Sequence, residues 1–362
     1  MAEKVRVGII GTGGIGMSKH LPSLSKLPQV EITAFCDLVE EKARQAAQTF
    51  GAANSGVYTD YRKLLEDRSI DVVHVCTPNS SHAEITVAAL EAGKHVMCEK
   101  PMAISSADAR LMLQASKRTG KKLSIGYQNR FRPDSLVLKS LCEQGEFGDI
   151  YLGKAFALRR RGVPTWGVFL DKELQGGGPL IDIGTHALDL TLWMMDNYKP
   201  VSVTGSVLHK LGNTKNAANT WGPWDPDKFK VEDSAFGFIK MENGAVITLE
   251  ASWALNSLEI REAKTLLCGT LGGADMEEGL RINGERLSRL YETKIKFDGD
   301  AVVFYSGKKD ETPADMEARL WIECIQNDTE PVVKAEQALV VSEILEAVYQ
   351  SAETGKTVYL NQ

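Results

Sequence analysis

Cysteine is sparse in this chain and carries no pattern. Cys36, Cys76, Cys98, Cys142, Cys268 and Cys324 are widely separated, and no two form a CxxC pair. Several lie inside apolar, strand-like runs, where cysteine behaves as a small hydrophobe. This excludes a zinc framework or a disulfide scaffold and fits a reduced, cytoplasmic compartment. An excess of positive charge is also lacking. Forty-eight Asp and Glu outnumber 42 Lys and Arg, a formal net charge of -6 that argues against a general nucleic-acid binder. No apolar run approaches the length of a membrane span. The start, Met1-Ala2-Glu3-Lys4, passes straight into a strand without a signal-peptide pattern. Tandem repeats and low-complexity tracts are missing too. The 362 residues are enough for two domains with a core each.

The first half alternates strand and helix patterns. Val5 to Ile10 reads as a short buried strand, and Gly11-Thr12-Gly13-Gly14-Ile15-Gly16 follows before a helix-like stretch. A GxGxxG run between strand and helix suits a dinucleotide pyrophosphate: Gly11 permits the tight turn, Gly13 gives close backbone approach, and Gly16 lets helix and strand pack closely. The phosphates would meet free N–H groups at the helix start. The second strand, Val30 to Cys36, ends at Asp37, where such folds place the acid that binds the adenosine ribose hydroxyls. A carboxylate there repels a 2′-phosphate and Leu38 follows, which favours NAD over NADP. Further strands (Asp71 to Cys76, Lys94 to Cys98, Lys122 to Tyr127) alternate with helices at Glu40 to Phe50, Tyr61 to Asp67 and Ala83 to Ala92. This spacing predicts a doubly wound parallel sheet. By count, Thr77, Asn79, Glu99 and Lys100 fall at its carboxyl edge, where such sheets bind ligands. His20, His74, His95 and His209 are read as structural.

One later segment stands apart. Gly176-Gly177-Gly178-Pro179 opens a stretch that is apolar on nearly every side from Leu180 to Met195. That pattern predicts a buried helix. Asp182, His186 and Asp189 interrupt it at i, i+4 and i+7 and so share a face. A buried carboxylate and imidazole one turn apart are expensive unless paired or used.

Together GTGGIG, Asp37, CTPNSSH, AGKHVMCEKP, GYQNRF and GGGPLIDIGTHALD resemble the Gfo/Idh/MocA family of nicotinamide-dependent oxidoreductases, over essentially the whole chain. The resemblance implies an N-terminal Rossmann domain, 1–126. The remainder, 127–362, is then an α+β domain with an open, mainly antiparallel sheet and helices on one face, through which relatives form dimers and tetramers. It implies catalytic roles for Lys100, Asp182 and His186. It also implies cofactor contacts from Gly11, Gly13, Gly14, Ile15, Asp37, Thr77, Pro78, Asn79, His82, Glu99, Lys100 and Gln128. Weaker carry-overs toward the substrate are Tyr127, Asn129, Arg130 and Trp166. The strand candidates of the second half are Ile150 to Leu158, Val201 to Leu208, Val231 to Lys240, Ala245 to Trp253 and Ala263 to Leu271, with a hairpin at Glu242-Asn243-Gly244. Helices are expected at Leu138 to Glu143, Pro313 to Gln326 and Ala335 to Glu353.

Arg159-Arg160-Arg161 leads toward the Asp182 helix, and one of the three, taken as Arg160, is expected to approach the substrate with Trp166. Arginine would bind hydroxyls or an anion, and tryptophan would stack on a sugar face. A loop from Asn213 to Asp227 holds Trp221 and Trp224 and could fold over a glycoside or seal a subunit contact.

The expected reaction is oxidation of a secondary alcohol on a sugar, glycoside or cyclic polyol. His186 would act as general base, Asp182 would orient hydroxyls and imidazole, and Lys100 would stabilise the developing alkoxide, with no metal. The alternatives are an inositol dehydrogenase, an NAD-dependent glycosidase that oxidises transiently, and a nicotinamide-binding regulator. The intact Lys100, Asp182 and His186 count against the regulator.

Overall fold

The computed structural model describes residues 4–258, 260–297 and 311–360. The chain divides into two compact units, Met1–Gln128 with Asp310–Leu339, and Asn129–Lys309 with Val340–Gln362.

The first unit holds six strands: β1 (Val5–Ile10), β2 (Val30–Cys36), β3 (Gly56–Tyr58), β4 (Val72–Val75), β5 (His95–Cys98) and β6 (Leu123–Ile125). They pair in the order β3-β2-β1-β4-β5-β6, parallel throughout. The order reverses between β1 and β4, the switch point at which such sheets bind ligands. β4 and β6 are buried at every residue, as a sheet covered on both faces requires.

The helix Pro313–Gln326 joins this unit, although the expected boundary leaves everything after residue 126 in the second domain. Trp321 and Ile322 enter the same core as Val7, Ile9, Leu21, Leu24 and Phe35. Its start is fixed by a capping box between Thr312 and Asp315, and Asp315 also takes Lys26 Nζ at 2.7 Å. The chain therefore comes back to cover the face that the local helices leave open.

The second unit is built on β7 (Ile150–Leu158), β8 (Pro200–Leu208), β9 (Ser234–Met241), β10 (Val246–Ser252), β11 (Arg261–Gly269), β12 (Gly272–Asp275), β13 (Leu280–Arg286), β14 (Arg289–Ile295) and β15 (Val358–Tyr359). They form one sheet in the order β14-β13-β12-β11-β7-β10-β9-β8-β15, antiparallel except for the β7–β10 pair. The helix Thr185–Met195 packs on β7 and β11, and Thr191 bonds Thr265 at 2.9 Å. Leu190, Trp193 and Met194 meet Leu138, Phe147, Leu267 and Leu280 in the core. The expected hairpin at Gly244 joins β9 to β10, with Gly244 at φ +87. A second hairpin, β13–β14, turns through Leu287 and Ser288 at φ +53 and +57, left-handed positions filled without glycine.

Among the described residues no helix is long and apolar enough to cross a membrane.

Candidate active site

In the first unit the glycine turn lies directly after β1. Gly11 has φ +93, and a Cβ there would stand 2.6 Å from the Cys76 backbone. A Cβ on Gly16 would stand 2.5 Å from the Gly11 carbonyl oxygen, so the turn closes only with glycine at both places. At Gly13 and Gly14 nothing lies within 4 Å of an added Cβ, so the backbone there is open to an approaching pyrophosphate. Asp37, at the end of β2, accepts from Thr12 N at 3.0 Å and Thr12 Oγ1 at 3.2 Å through one oxygen, and from Val39 N at 3.0 Å through the other. Its carboxylate thus ties β2 to the turn and keeps acceptor capacity on its second oxygen for a ribose hydroxyl. Open glycines, a free helix start and this acid fit a dinucleotide.

Lys100 follows β5 and is half-buried, with its backbone held from behind. Its amide donates to Glu99 Oε2 at 3.1 Å. The other Glu99 oxygen lies 2.8 Å from both Lys19 Nζ and His20 Nε2, on the segment after the glycine turn. Lys19 also meets Glu317 at 2.8 Å, and His20 Nδ1 meets His74 Nδ1 at 2.8 Å. All five side chains are less than a tenth exposed. Burial pushes the Glu99 carboxyl up, but Lys19 and His20 outweigh it and hold the group well below the usual carboxylate range. Glu317 goes the other way, raised by burial despite Lys19. The geometry explains the split: three donors converge on Glu99, whereas Glu317 Oε1 is buried with no partner among the described residues.

On the far side of Lys100, the Pro101 carbonyl lies 2.8 Å from His82 Nδ1, and His82 Nε2 lies 3.0 Å from the Thr77 carbonyl. His82 was expected at the cofactor, but it is fully buried and joins the loops after β4 and β5. Thr77, Pro78 and Lys100 remain at least partly exposed at the carboxyl edge of the sheet, while Asn79 is 8% exposed. Gln128 is half-buried and Tyr127 fully buried. Burial makes Tyr127 part of the frame instead of the substrate contact expected of it.

In the second unit the Asp182 segment begins as a π-helix, Leu180–Gly184, and continues as the α-helix Thr185–Met195. Its start is capped by buried Glu232, whose carboxylate accepts from Gly178 N at 2.9 Å, Leu180 N at 3.2 Å and Tyr349 Oη at 2.8 Å. Side chains at the preceding glycines would collide with these groups. A Cβ on Gly177 would stand 2.0 Å from Tyr349 Oη, and one on Gly178 2.3 Å from the Glu232 carbonyl. Sequence reasoning missed Glu232, because 50 or so residues separate it from the helix it caps.

Asp182 is 6% exposed and accepts from Trp253 Nε1 at 3.0 Å. Arg159 Nη1 lies 3.9 Å from the same carboxylate oxygen and is held by Glu262 through Nε at 2.7 Å and by the Gly162 carbonyl at 3.1 Å. His186 stands half-buried four residues along from Asp182. Asp189 does not share this role. Its carboxylate grips Arg130 Nε at 2.9 Å and Nη2 at 2.6 Å, with both residues 1% exposed or less. The opening π turn breaks the regular wheel that would align positions 182, 186 and 189. Arg130 is accordingly a buried structural cation, while Asn129 beside it is half-buried. Arg160, the arginine expected to approach the substrate, is exposed, and Arg159 is the one beside Asp182. Trp166 is 51% exposed and packs edge-on to Trp221, with ring centres 5.0 Å apart. Among the described residues no group of three His, Cys, Asp or Glu side chains could hold a metal ion.

Residues 5–127 match the model of an oxidoreductase family with an NAD-binding Rossmann fold, and residues 139–360 match that family's C-terminal alpha/beta domain. D-glucoside 3-dehydrogenase of Escherichia coli K12 is 38% identical over 361 residues, 99% of this chain and 98% of that protein. Inositol 2-dehydrogenase of Salmonella typhimurium is 32% identical over 202 residues, 55% of this chain and 57% of that protein. A solved levoglucosan dehydrogenase, in complex with NADH and levoglucosan, covers 99% of this chain and all of its own, with a TM-score of 0.83 at 22% identity. The chain belongs to the Gfo/Idh/MocA family of oxidoreductases.

Proposed function

We propose that this chain is an NAD-dependent dehydrogenase that oxidises a ring secondary alcohol of a D-glucoside or a closely related sugar. The observation that carries the reading is the polar group around Asp182. A buried carboxylate fixed by Trp253 stands beside Arg159, with the half-buried His186 four residues along the same segment, in a chain similar over its full length to a D-glucoside 3-dehydrogenase. Asp182 and Arg159 orient ring hydroxyls, and His186 takes the proton of the reacting hydroxyl as general base. Lys100, its backbone fixed by Glu99, stabilises the developing alkoxide. The nicotinamide, when bound, accepts the hydride. Gly11, Gly13, Gly14, Ile15 and Asp37 hold the dinucleotide, and Asp37 favours NAD because its carboxylate repels a 2′-phosphate.

Two further parts of the proposal concern setting. The chain works as a homo-oligomer through the open face of the nine-stranded sheet, where Phe238 is exposed. It works in a reducing, cytoplasmic compartment, in keeping with six cysteines that are all free. The test of function is NADH formation over glucosides, free hexoses and inositols by wild type and His186→Ala. Turnover of glucosides that is lost in the variant supports the reading, and preference for inositols would move the substrate class.

A further inference from the structure

The aromatic residues beside Asp182 form a path leading outward. The Arg159 guanidinium, 3.9 Å from Asp182, lies 5.5 Å from the centre of the Trp221 ring, and Trp221 meets Trp166 edge-on at 5.0 Å. Phe169 backs the path, 5.8 Å from Trp166 and 6.4 Å from Trp253, the indole that holds Asp182. Trp166 is 51% exposed and Trp221 44%. Trp224, in the same loop, is 3% exposed, donates to the Gly212 carbonyl at 2.8 Å and serves the core.

The loop is built to present Trp221. The Asn219 side chain accepts from Val163 N at 2.9 Å and donates to the Val163 and Gly222 carbonyls at 2.9 Å each. Thr220 Oγ1 donates to the Arg161 carbonyl at 2.6 Å, and Thr165 Oγ1 donates to the Trp221 carbonyl at 3.0 Å. This network joins the loop to the segment that carries Trp166. Two indoles left half in water cost apolar burial, and here fixed backbone holds them in that state.

We propose that Trp166 and Trp221 form a subsite for the substituent on the anomeric carbon of a glycoside. On this proposal, which rests on the sugar-oxidising reading above, the sugar ring hydroxyls take Asp182 and Arg159. The aglycone or second sugar ring then lies one ring further out, against the indoles. A planar aryl group or the C–H face of a pyranose suits an indole surface, whereas a small, fully hydroxylated polyol leaves it bare. The chain therefore favours glycosides with a ring-bearing substituent over methyl glucosides, free hexoses and inositols.

The test compares phenyl and methyl D-glucosides, both anomers of each, with glucose and myo-inositol in wild type, Trp221→Ala, Trp221→Phe and Trp166→Ala. Removing one indole is expected to raise KM for the phenyl glucoside about tenfold while kcat and the KM for the small substrates change less than about twofold. Trp221→Phe restores most of the loss. Titration of intrinsic tryptophan fluorescence with phenyl glucoside, with no nicotinamide present, reads binding without turnover and so separates this proposal from the catalytic one. Quenching that disappears in Trp221→Ala supports the subsite even if no NADH forms. A KM loss equal for all substrates, or no loss for any, overturns it. So does a change of oligomeric state on sedimentation with KM unaltered, which would assign the indoles to a subunit contact.

Discussion

Behind Lys100 lies a closed set of charges, with Lys19, His20, His74, Glu99 and Glu317 all buried and linked by contacts of 2.8 Å. Around Asp182 the arrangement is open, with Arg159 and His186 partly exposed and two indoles about half in water. The closed set fixes a backbone: it ties the segment after the glycine turn to the loop bearing Lys100. The open set offers side chains to a ligand. On the proposed function, holding the reaction geometry and choosing a substrate would thus rest on different physics. Ion pairs withdrawn from water serve the first, and accessible polar and aromatic surface serves the second.

Experiments can break this contrast. The largest effects are expected at the proposed chemical groups. Lys100→Ala and His186→Ala should each lower kcat by about 10²–10⁴-fold in initial-rate assays. Their melting temperatures should stay near wild type, because both side chains are only half-buried.

Glu99→Gln comes next and strikes stability. It sets an amide against three donors and strips Lys19 of one carboxylate, a loss of about 3–5 kcal/mol in urea denaturation. Glu317→Gln should cost far less, because Glu317 already leaves one oxygen unpartnered among the described residues. Equal losses in the two variants would mean that the cluster is held as a single unit instead of centring on Glu99.

The pH dependence of stability should show the same asymmetry. Glu99, depressed in the folded state, contributes above its ordinary pKa, and that contribution is lost as pH falls through its folded value. Glu317, raised in the folded state, favours the fold below its ordinary pKa and loses that contribution as pH rises through its folded value. Denaturation midpoints followed from acid to neutral pH should therefore lose a falling component in Glu317→Gln and a rising one in Glu99→Gln.

The smallest contrast concerns the arginine pair. Arg159→Ala should raise the sugar KM about tenfold, while Arg160→Ala should leave it within about twofold, measured at saturating NAD. The reverse order would return the substrate role to Arg160.

Much of this was legible in the residues. The glycine turn, Asp37 and the strand–helix alternation define the first sheet because each is a local pattern. The buried Asp182 helix is equally plain in its apolar run. Contacts between distant residues were not legible. Thr12 on Asp37, Glu232 on the helix start and Trp321 in the first core are tertiary choices that no local period records. His82 and Tyr127 have residue types that suit a ligand site, yet burial gives them structural work. The arginine run fails for another reason. Adjacent residues alternate sides at the end of β7, so a one-residue difference decides which guanidinium reaches Asp182. The β13–β14 turn was missed because Leu287 and Ser288 occupy positions where glycine or asparagine is the usual signal.

The most direct test of the whole account is NADH production from a D-glucoside by wild type and His186→Ala, with NADH affinity measured in both. Glucoside-dependent NADH formation in wild type, abolished in a variant that still binds NADH with unchanged affinity, is the predicted result. Equal turnover by the two proteins, or no glucoside oxidation by a wild type that binds the nucleotide tightly, would contradict it.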